Sequence, residues 1–362
     1  MEQFNKIMEL VLNPTGDAPI YNCMLSIKDS NNNIFHSGAT GTFYNGGDLI
    51  SPGCSFRTGS LTKPFTAAII LQLEEEGILR TEDLFFNLIN AETKYILSGM
   101  HLVENVDYSG NMSVLHLLQH RSGLCDYFAD DEKFLAYIME HPAQSWTWQF
   151  VIEKYFEMGL NKRAMFKPGN GFHYSDTNYL LLGVLIEQLT GKCLQQVYDE
   201  RIIKPLKLAN TYLEFYHPPK KTEAVVFPHY AKYYLKDVNT SFDWGGGGLI
   251  STMKDLDIFI RSLLKGQLFN KEETLFSMKQ FNEPVAGNKH GTPLYGVGIQ
   301  KKEIQGYSFI GHIGAYGSMM FYQPKEDISI VLSLNQAAAF QKAEWLINKI
   351  VKELLVNSRN VS

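Results

Sequence analysis

The sequence predicts an α/β (α+β) protein in which an antiparallel β-sheet is flanked by N- and C-terminal helices and a mostly helical domain is inserted. Three observations predict it. Strand-like segments lie at both ends of the 362-residue chain, the middle is mostly helical, and each terminus carries an amphipathic helix. The boundaries are 1–80 and 237–362 for an α/β domain built from both termini, and 81–236 for the inserted domain. A functional site is expected at their interface, where ligand sites are favoured.

In chain order, Phe4, Ile7, Met8, Val11 and Leu12 share one helical face, so the first segment reads as a helix docked on the fold. It has neither the basic start nor the continuous apolar core of a secretory signal. That predicts a cytoplasmic chain, or an exported one whose signal has been removed. Residues 20–27 read as a strand, 29–33 as a turn and 34–38 as the return strand of a hairpin. Residues 66–79 are good helix formers with apolar residues at helical spacing, ending at Glu74-Glu75-Glu76-Gly77. Pro64 lacks an N–H and is tolerated in a first turn, so this helix begins near Ser60.

From 81 to 236 the pattern is helical with irregular connections: short helices at 114–118, 134–140 and 148–156, then a strongly apolar one at 178–189 closed by Thr190-Gly191. The glycine run Gly245-Gly246-Gly247-Gly248 returns the chain to the first layer, and Ser251 or Thr252 caps a helix over 254–264. Segments 296–301, 307–311, 317–322 and 328–334 read as an antiparallel meander, and 337–355 as a final helix.

Composition excludes several classes. Hydrophobic residues are 45% and charged residues 20%, ordinary for a globular protein. The net charge is −5 and no basic run appears, so nucleic acid is not an expected partner. No apolar run approaches the ~20 residues of a transmembrane segment. The four cysteines, Cys23, Cys54, Cys125 and Cys193, lack metal-ligand spacing and read as buried free thiols, although Cys54 falls close before Ser60. No metal or cofactor is expected; the expected partner is a small-molecule or peptide substrate, and no motif speaks to oligomeric state.

The chemistry concentrates in three short stretches. In Ser60-Leu61-Thr62-Lys63 the serine stands at a helix start, where backbone N–H groups are unpaired and the dipole is positive. Lys63, one turn on, shares its face. A hydroxyl beside an amine at such a place suits a serine nucleophile, although the tetrad alone reads more readily as a cap followed by a surface lysine. In Tyr174-Ser175-Asp176, just before the apolar helix, the phenol is a poor base unless a cation such as Lys63 lowers its pKa. The plain reading there is a capping segment with Asp176 or Thr177 as N-cap. In His312-Ile313-Gly314, between two strands, the glycine permits close approach to a ligand, and His312 either contacts substrate or a Ser60–Tyr174 network, or is a hairpin-turn histidine.

Together these motifs resemble those of the serine β-lactamase-like and penicillin-binding-protein superfamily. Ser60-Leu61-Thr62-Lys63 is similar to its Ser-x-x-Lys, Tyr174-Ser175-Asp176 to its Tyr-x-Asn, and His312-Ile313-Gly314 to its Lys-Thr-Gly in the His-x-Gly form of the class C β-lactamase-related branch. That branch includes D-alanyl-D-alanine carboxypeptidases, D-aminopeptidases and family VIII esterases. Leu117 through Leu124 and Gly246 through Thr252 match as well, and the resemblance spans about residues 20–335 in the family's order.

The resemblance implies a β-lactamase/transpeptidase-like fold and a serine hydrolase working through an acyl-enzyme on Ser60, with Lys63 and Tyr174 moving the proton, either one as base. Asp176, His312, Gly314 and Ala315 would bind substrate, and the N–H groups of Ser60 and Ala315 would hold the oxyanion. Asp176 stands where β-lactamases carry a donating Asn, and His312 replaces a lysine that holds the β-lactam carboxylate. Both favour a D,D-carboxypeptidase-like or esterase-like hydrolase of a D-amino acid peptide, small ester or amide over an efficient β-lactamase. A β-lactamase and a penicillin-recognising sensor with little turnover are the alternatives. Tyr127, Trp146, Trp148, Tyr216 and Tyr316 are candidate cleft residues, and substrate choice is expected in the loops around Tyr127, Tyr216, Asn288 and Tyr316.

Overall fold

A computed structural model describes residues 2–31, 34–218, 224–282, 294–337 and 339–357; Asn288 lies outside them. In chain order its principal strands are β1 (Asn22–Asp29), β2 (Ile34–Gly41), β3 (Ser55–Arg57), β4 (Tyr212–Leu213), β5 (Val225–Val226), β6 (Leu249–Thr252), β7 (Leu294–Tyr295), β8 (Gln300–Ile304), β9 (Tyr307–Gly314), β10 (Ser318–Gln323) and β11 (Ile328–Leu334). The helices that place the site are α1 (Glu2–Glu9), α2 (Lys63–Glu75), α3 (Glu132–Glu140), α4 (Asp176–Thr190), α5 (Met253–Leu264) and α6 (Phe340–Val351).

The fold class is the mixed α/β class with antiparallel sheets that the sequence predicts. Seven strands pair in the order β7-β8-β9-β10-β11-β1-β2. The N-terminal hairpin completes the C-terminal meander, with Cys23 opposite Leu334 and Asp29 opposite Ile328. Side chains alternate across the strands, so each face gathers its own core. Met319 and Phe321 of β10 join Leu25 and Ile27 of β1 beneath α1 and α6, where Phe4, Met8, Leu346 and Ile350 are buried. Met320 and Tyr322 face the other way, against Phe65 of α2 and Leu256, Phe259 and Ile260 of α5. That second core runs on into the helical middle of the chain, through Leu117, Tyr155 and Leu181. Among the described residues no helix is long and apolar enough to cross a membrane.

A smaller sheet, β4-β6-β3-β5, sits where the chain enters α2. Its strand β3 ends at Arg57, whose guanidinium grips Glu214 at 2.7 and 3.1 Å and donates to the carbonyls of Leu235 and Val238 at 2.7 and 2.9 Å. These buried charge-assisted bonds anchor the segment that delivers Ser60.

Two local expectations shift, and the choice between two caps is settled. The strand expected over 296–301 begins only at Gln300, because Gly298 turns left-handed at φ +70° and packs so closely on Ala67 of α2 that a Cβ would lie 2.3 Å away. The final helix starts at Phe340 and ends at Val351, followed by a wider π turn over Lys352–Asn357. The α5 helix takes Thr252 as its cap, whose hydroxyl accepts the Asp255 N–H at 3.2 Å.

Candidate active site

Ser60 does not sit in an α-helix. Gly59–Thr62 forms a 3-10 turn that runs directly into α2, which begins at Lys63 with Pro64 in its first turn. Thr58 sets the entry: its hydroxyl donates to the Leu249 carbonyl at 2.8 Å and lies 3.2 Å from the Thr62 hydroxyl. Ser60 is 8% exposed, whereas Lys63 is fully buried. The lysine, read from sequence alone as a surface residue in the plain alternative, is instead the electrostatic centre of the site. Its Nζ donates to Ser60 Oγ at 2.9 Å, to the Gly246 carbonyl at 3.0 Å and to Asp176 Oδ1. The glycine run lets the backbone come this close: a Cβ on Gly246 would lie 3.4 Å from Asp176 Oδ1 and 3.7 Å from Lys63 Nζ.

Burial by itself lowers the pKa of Lys63, but Asp176 and Tyr174 outweigh it and hold the ammonium well above the usual lysine range. Tyr174 goes the other way from the sequence expectation. Burial pushes its phenol up to about 12, and Asp176 adds to the rise, although Lys63 and Ser60 pull downward. Lys63 lies 4.9 Å from the Tyr174 ring centre. The resting site is therefore a hydroxyl, an ammonium, a carboxylate and a neutral phenol.

Asp176 is the first residue of α4, not its cap; Ser175 occupies the cap position with no side-chain capping bond. The segment that carries Tyr174 and Asp176 is fixed to the Leu117–Leu124 stretch through His120. Its Nδ1 accepts from the Ser175 N–H and from Asn178 Nδ2, both at 3.1 Å, while Ser122 Oγ donates to Asn178 Oδ1 at 2.6 Å. The His120 ring stacks on Tyr174 with centroids 4.2 Å apart. Burial and the neighbouring Lys63 keep it neutral.

His312 lies inside strand β9, not in a hairpin turn, and it is fully buried. Its Nδ1 is 2.8 Å from the Ile313 carbonyl oxygen, which requires an N–H there, so Nε2 accepts from the Tyr295 hydroxyl at 3.0 Å. Burial, with Lys63 close by, pushes its pKa down to about 3. A buried neutral imidazole presents no charge to a substrate carboxylate. His312 supports the Tyr295 ring behind Tyr174 instead, with Tyr174 and Tyr295 ring centres 5.9 Å apart.

Gly314 and Ala315 form the turn that faces Ser60. Ser318 Oγ donates to the Thr58 carbonyl at 2.9 Å and ties this turn to the Ser60 segment. Gly59 makes the approach possible: at φ +57° a Cβ there would lie 3.2 Å from the Tyr316 ring and 3.3 Å from the Ala315 nitrogen. A cleft of about 410 Å³ opens alongside, lined by Ser60, Tyr174, Gln300, Gly314, Ala315 and Phe340 among others. On the other side of Ser60 is a small recess of about 30 Å³ between Asp176, Asp243, Phe128, Ala315 and Tyr316. Asp243 accepts the Tyr316 hydroxyl at 2.5 Å, and burial pushes its carboxyl up to about 7.

Among the aromatic candidates, Tyr316 lines the small recess. Tyr127 donates to the Phe242 carbonyl at 2.9 Å, Tyr216 to the Trp146 carbonyl at 3.2 Å, and Trp146 and Trp148 pack into the core. Cys54 bonds within its own turn to Ser51. His120, Tyr295, Phe128 and Asp243 were not singled out by the sequence. For His120 the signal was its place in the Leu117–Leu124 segment; the others lie in no motif. Among the described residues no His, Cys, Asp and Glu cluster has the arrangement of a metal site.

A sheet built from both chain ends, with a serine and a buried lysine where the chain enters a central helix, defines the class of penicillin-recognising serine hydrolase folds. The chain belongs to the beta-lactamase family, whose sequence pattern matches residues 29–351. It is 30% identical over 290 residues to "Penicillin-binding protein 4*" of Bacillus subtilis (strain 168), a match covering 73% of this chain and 57% of that protein. It is 26% identical over 360 residues to the "Putative D-alanyl-D-alanine carboxypeptidase" of Escherichia coli O157:H7, covering 86% and 77%. Its fold superposes on a D-stereospecific amidohydrolase from Streptomyces sp. with a TM-score of 0.77 at 24% identity, covering 97% and 98%.

Proposed function

We propose that this protein is a serine hydrolase that cleaves an amide or ester of a D-amino acid or short D-peptide through an acyl-enzyme on Ser60. The observation that carries the reading is the buried Lys63 ammonium, 2.9 Å from Ser60 Oγ and simultaneously bonded to Asp176. As Oγ attacks the substrate carbonyl, its proton passes to Lys63 while Lys63 releases one to Asp176. Tyr174, neutral at rest, gives its phenolic proton to the leaving group and regains one from Lys63. Asp176 returns its proton to Lys63, so the resting charges are restored. The Ser60 and Ala315 N–H groups stabilise the oxyanion. Water then deacylates the enzyme.

The D-configured substrate class is drawn from the names of the carboxypeptidase and amidohydrolase relatives. Among the described residues lining the 410 Å³ cleft there is no Arg or Lys, and His312 is buried and neutral. A free substrate carboxylate lacks a cationic partner there, which favours a neutral amide or ester leaving group over the C-terminal residue of a D,D-peptide or a β-lactam. The test is a comparison of kcat/KM for D- and L-phenylalanine amide, a D-alanyl-D-alanine peptide and a penicillin. The reading expects the D-amide to lead, with turnover lost in Ser60→Ala. Peptide or penicillin turnover exceeding that of the amide would overturn it.

A further inference from the structure

One residue outside the reacting groups holds Tyr174 from three directions. The His120 carbonyl accepts the His173 N–H at 2.9 Å, and its Nδ1 accepts the Ser175 N–H at 3.1 Å. The residues immediately before and after Tyr174 are therefore both bonded to His120. Between them the imidazole covers Tyr174, with ring centroids 4.2 Å apart and planes 29° from parallel.

His120 pays for this arrangement in its backbone. It stands at φ +54°, in the left-handed region that only a few non-glycine residues enter, His and Asn more readily than most. Such strain persists where the surroundings over-determine it, and it collects at functional sites. One atom of the ring is left over. A backbone N–H points at Nδ1, so the ring proton is on Nε2. Nε2 is buried and has no hydrogen-bond partner among the described residues. The ring is flanked instead by Tyr295, at 76° with its centre 4.6 Å away, and by Tyr179 at 5.2 Å. A buried N–H without an acceptor is uncommon in folded proteins. A tether alone would need only an acceptor, which an asparagine supplies in the same backbone conformation without stranding a ring N–H. What the imidazole adds is its flat face on Tyr174.

Resting on the acyl-transfer reading above, in which Tyr174 is the acid to the leaving group, we infer that His120 is a positioning residue whose imidazole face holds the Tyr174 phenol on the leaving group. Its Nδ1 and carbonyl hold the segment, and the ring aims the acid.

Two variants separate these roles. His120→Asn places Oδ1 where Nδ1 stands, so it keeps both bonds to the segment and removes the ring. His120→Phe keeps a ring but leaves the Ser175 N–H and Asn178 Nδ2 without their acceptor. The experiment measures kcat on D-phenylalanine amide and on its p-nitrophenyl ester, whose leaving group needs no proton. It uses the full chain, both variants, Tyr174→Phe and the double variant His120→Asn with Tyr174→Phe. Thermal midpoints and labelling of Ser60 by a small fluorophosphonate report the fold and the nucleophile.

His120→Asn is expected to be labelled and to lower the amide-to-ester ratio about tenfold or more, the scale of a misplaced catalytic group. In the double variant the ratio should equal that of Tyr174→Phe alone, because the ring acts through the phenol. His120→Phe should melt below His120→Asn. A parent ratio in labelled His120→Asn, a further fall of the same size in the double variant, or loss of labelling in His120→Asn overturns the assignment, as does the reverse order of melting. An unlabelled parent, or Tyr174→Phe at the parent ratio, overturns the acyl-transfer reading itself, which is a different outcome.

Discussion

Asp176 accepts a hydrogen bond from the same Lys63 ammonium that donates to Ser60 Oγ at 2.9 Å. The carboxylate thus favours the charged form of the lysine, and in the proposed mechanism it is the proton acceptor one step from the serine. In Asp176→Asn that acceptor is gone, and Lys63 must itself lose a proton before it can take one from Ser60. Burial, no longer opposed by the carboxylate, lowers the Lys63 pKa. The expected result is an acid limb in kcat/KM that the parent lacks between pH 6 and 9 by this account, with activity down about tenfold or more at the acid end and recovering as pH rises. Superimposable pH profiles would remove Asp176 from the proton path.

Tyr174 is neutral at rest, its phenol pushed up to about 12 by burial first and Asp176 second. In the proposed mechanism it acts as an acid to the leaving group, which phenylalanine cannot do. Tyr174→Phe should lower kcat on an amide by ~10²-fold or more. A p-nitrophenyl ester, whose leaving group needs no proton, should lose much less. Equal losses on amide and ester would contradict the assignment.

Gly59 combines a left-handed backbone with near-contact to the Ala315 nitrogen. Gly59→Ala places a methyl group 3.3 Å from that nitrogen and adds the left-handed penalty of about 1–2 kcal/mol. The Ala315 turn must retreat from Ser60. A fall in kcat of ~10²-fold, the scale of losing one oxyanion donor, should accompany a modest loss in thermal stability. Full activity with lowered stability would show that the Ala315 N–H is not used.

Asp126 is 2% exposed, and burial, reinforced by Asp176, pushes its carboxyl up from 3.8 to about 8. A carboxyl with a raised folded-state pKa contributes its stability below the ordinary carboxylate range, and that contribution is lost as pH rises toward 8. Asp126→Asn keeps an acceptor for the Phe128 N–H, which Asp126 Oδ1 holds at 2.9 Å. The variant should match the parent in urea unfolding at pH 4.5 and exceed it by on the order of 2 kcal/mol at pH 8.5. A variant less stable than the parent at pH 8.5 would contradict this.

The legible part of the site is the part that backbone chemistry announces. Pro64 marks a helix start, and the Tyr174 segment precedes an unmistakable apolar helix, so the two segments, one carrying Ser60 and Lys63 and the other Tyr174 and Asp176, show in local pattern, while their meeting was implied only by the family resemblance. The sheet was equally visible, since β11 is apolar but for Ser329 and Ser333, β10 is apolar between Ser318 and Gln323, and the hairpin of β1 and β2 has a clear turn in the sequence. What was hidden depends on partners far apart in the chain. His312 reads as a turn residue until Tyr295 is brought to its Nε2, and the sign of the Tyr174 shift depends on how deeply the phenol is buried. Gly298 interrupts a strand-like run because Ala67 sits beneath it. Phe128 and Tyr316, 188 positions apart, line the same small recess beside Ser60, which no local motif records.

The central claim is that Ser60 carries the acyl group. The direct measurement is intact-protein mass spectrometry on samples quenched during turnover of a D-phenylalanine p-nitrophenyl ester, followed by peptide mapping. The account predicts a protein heavier by one phenylalanyl group, with that group on the peptide containing Ser60 and absent from Ser60→Ala. A group mapped to another residue, or Ser60→Ala hydrolysing the ester at the parent rate, would contradict it.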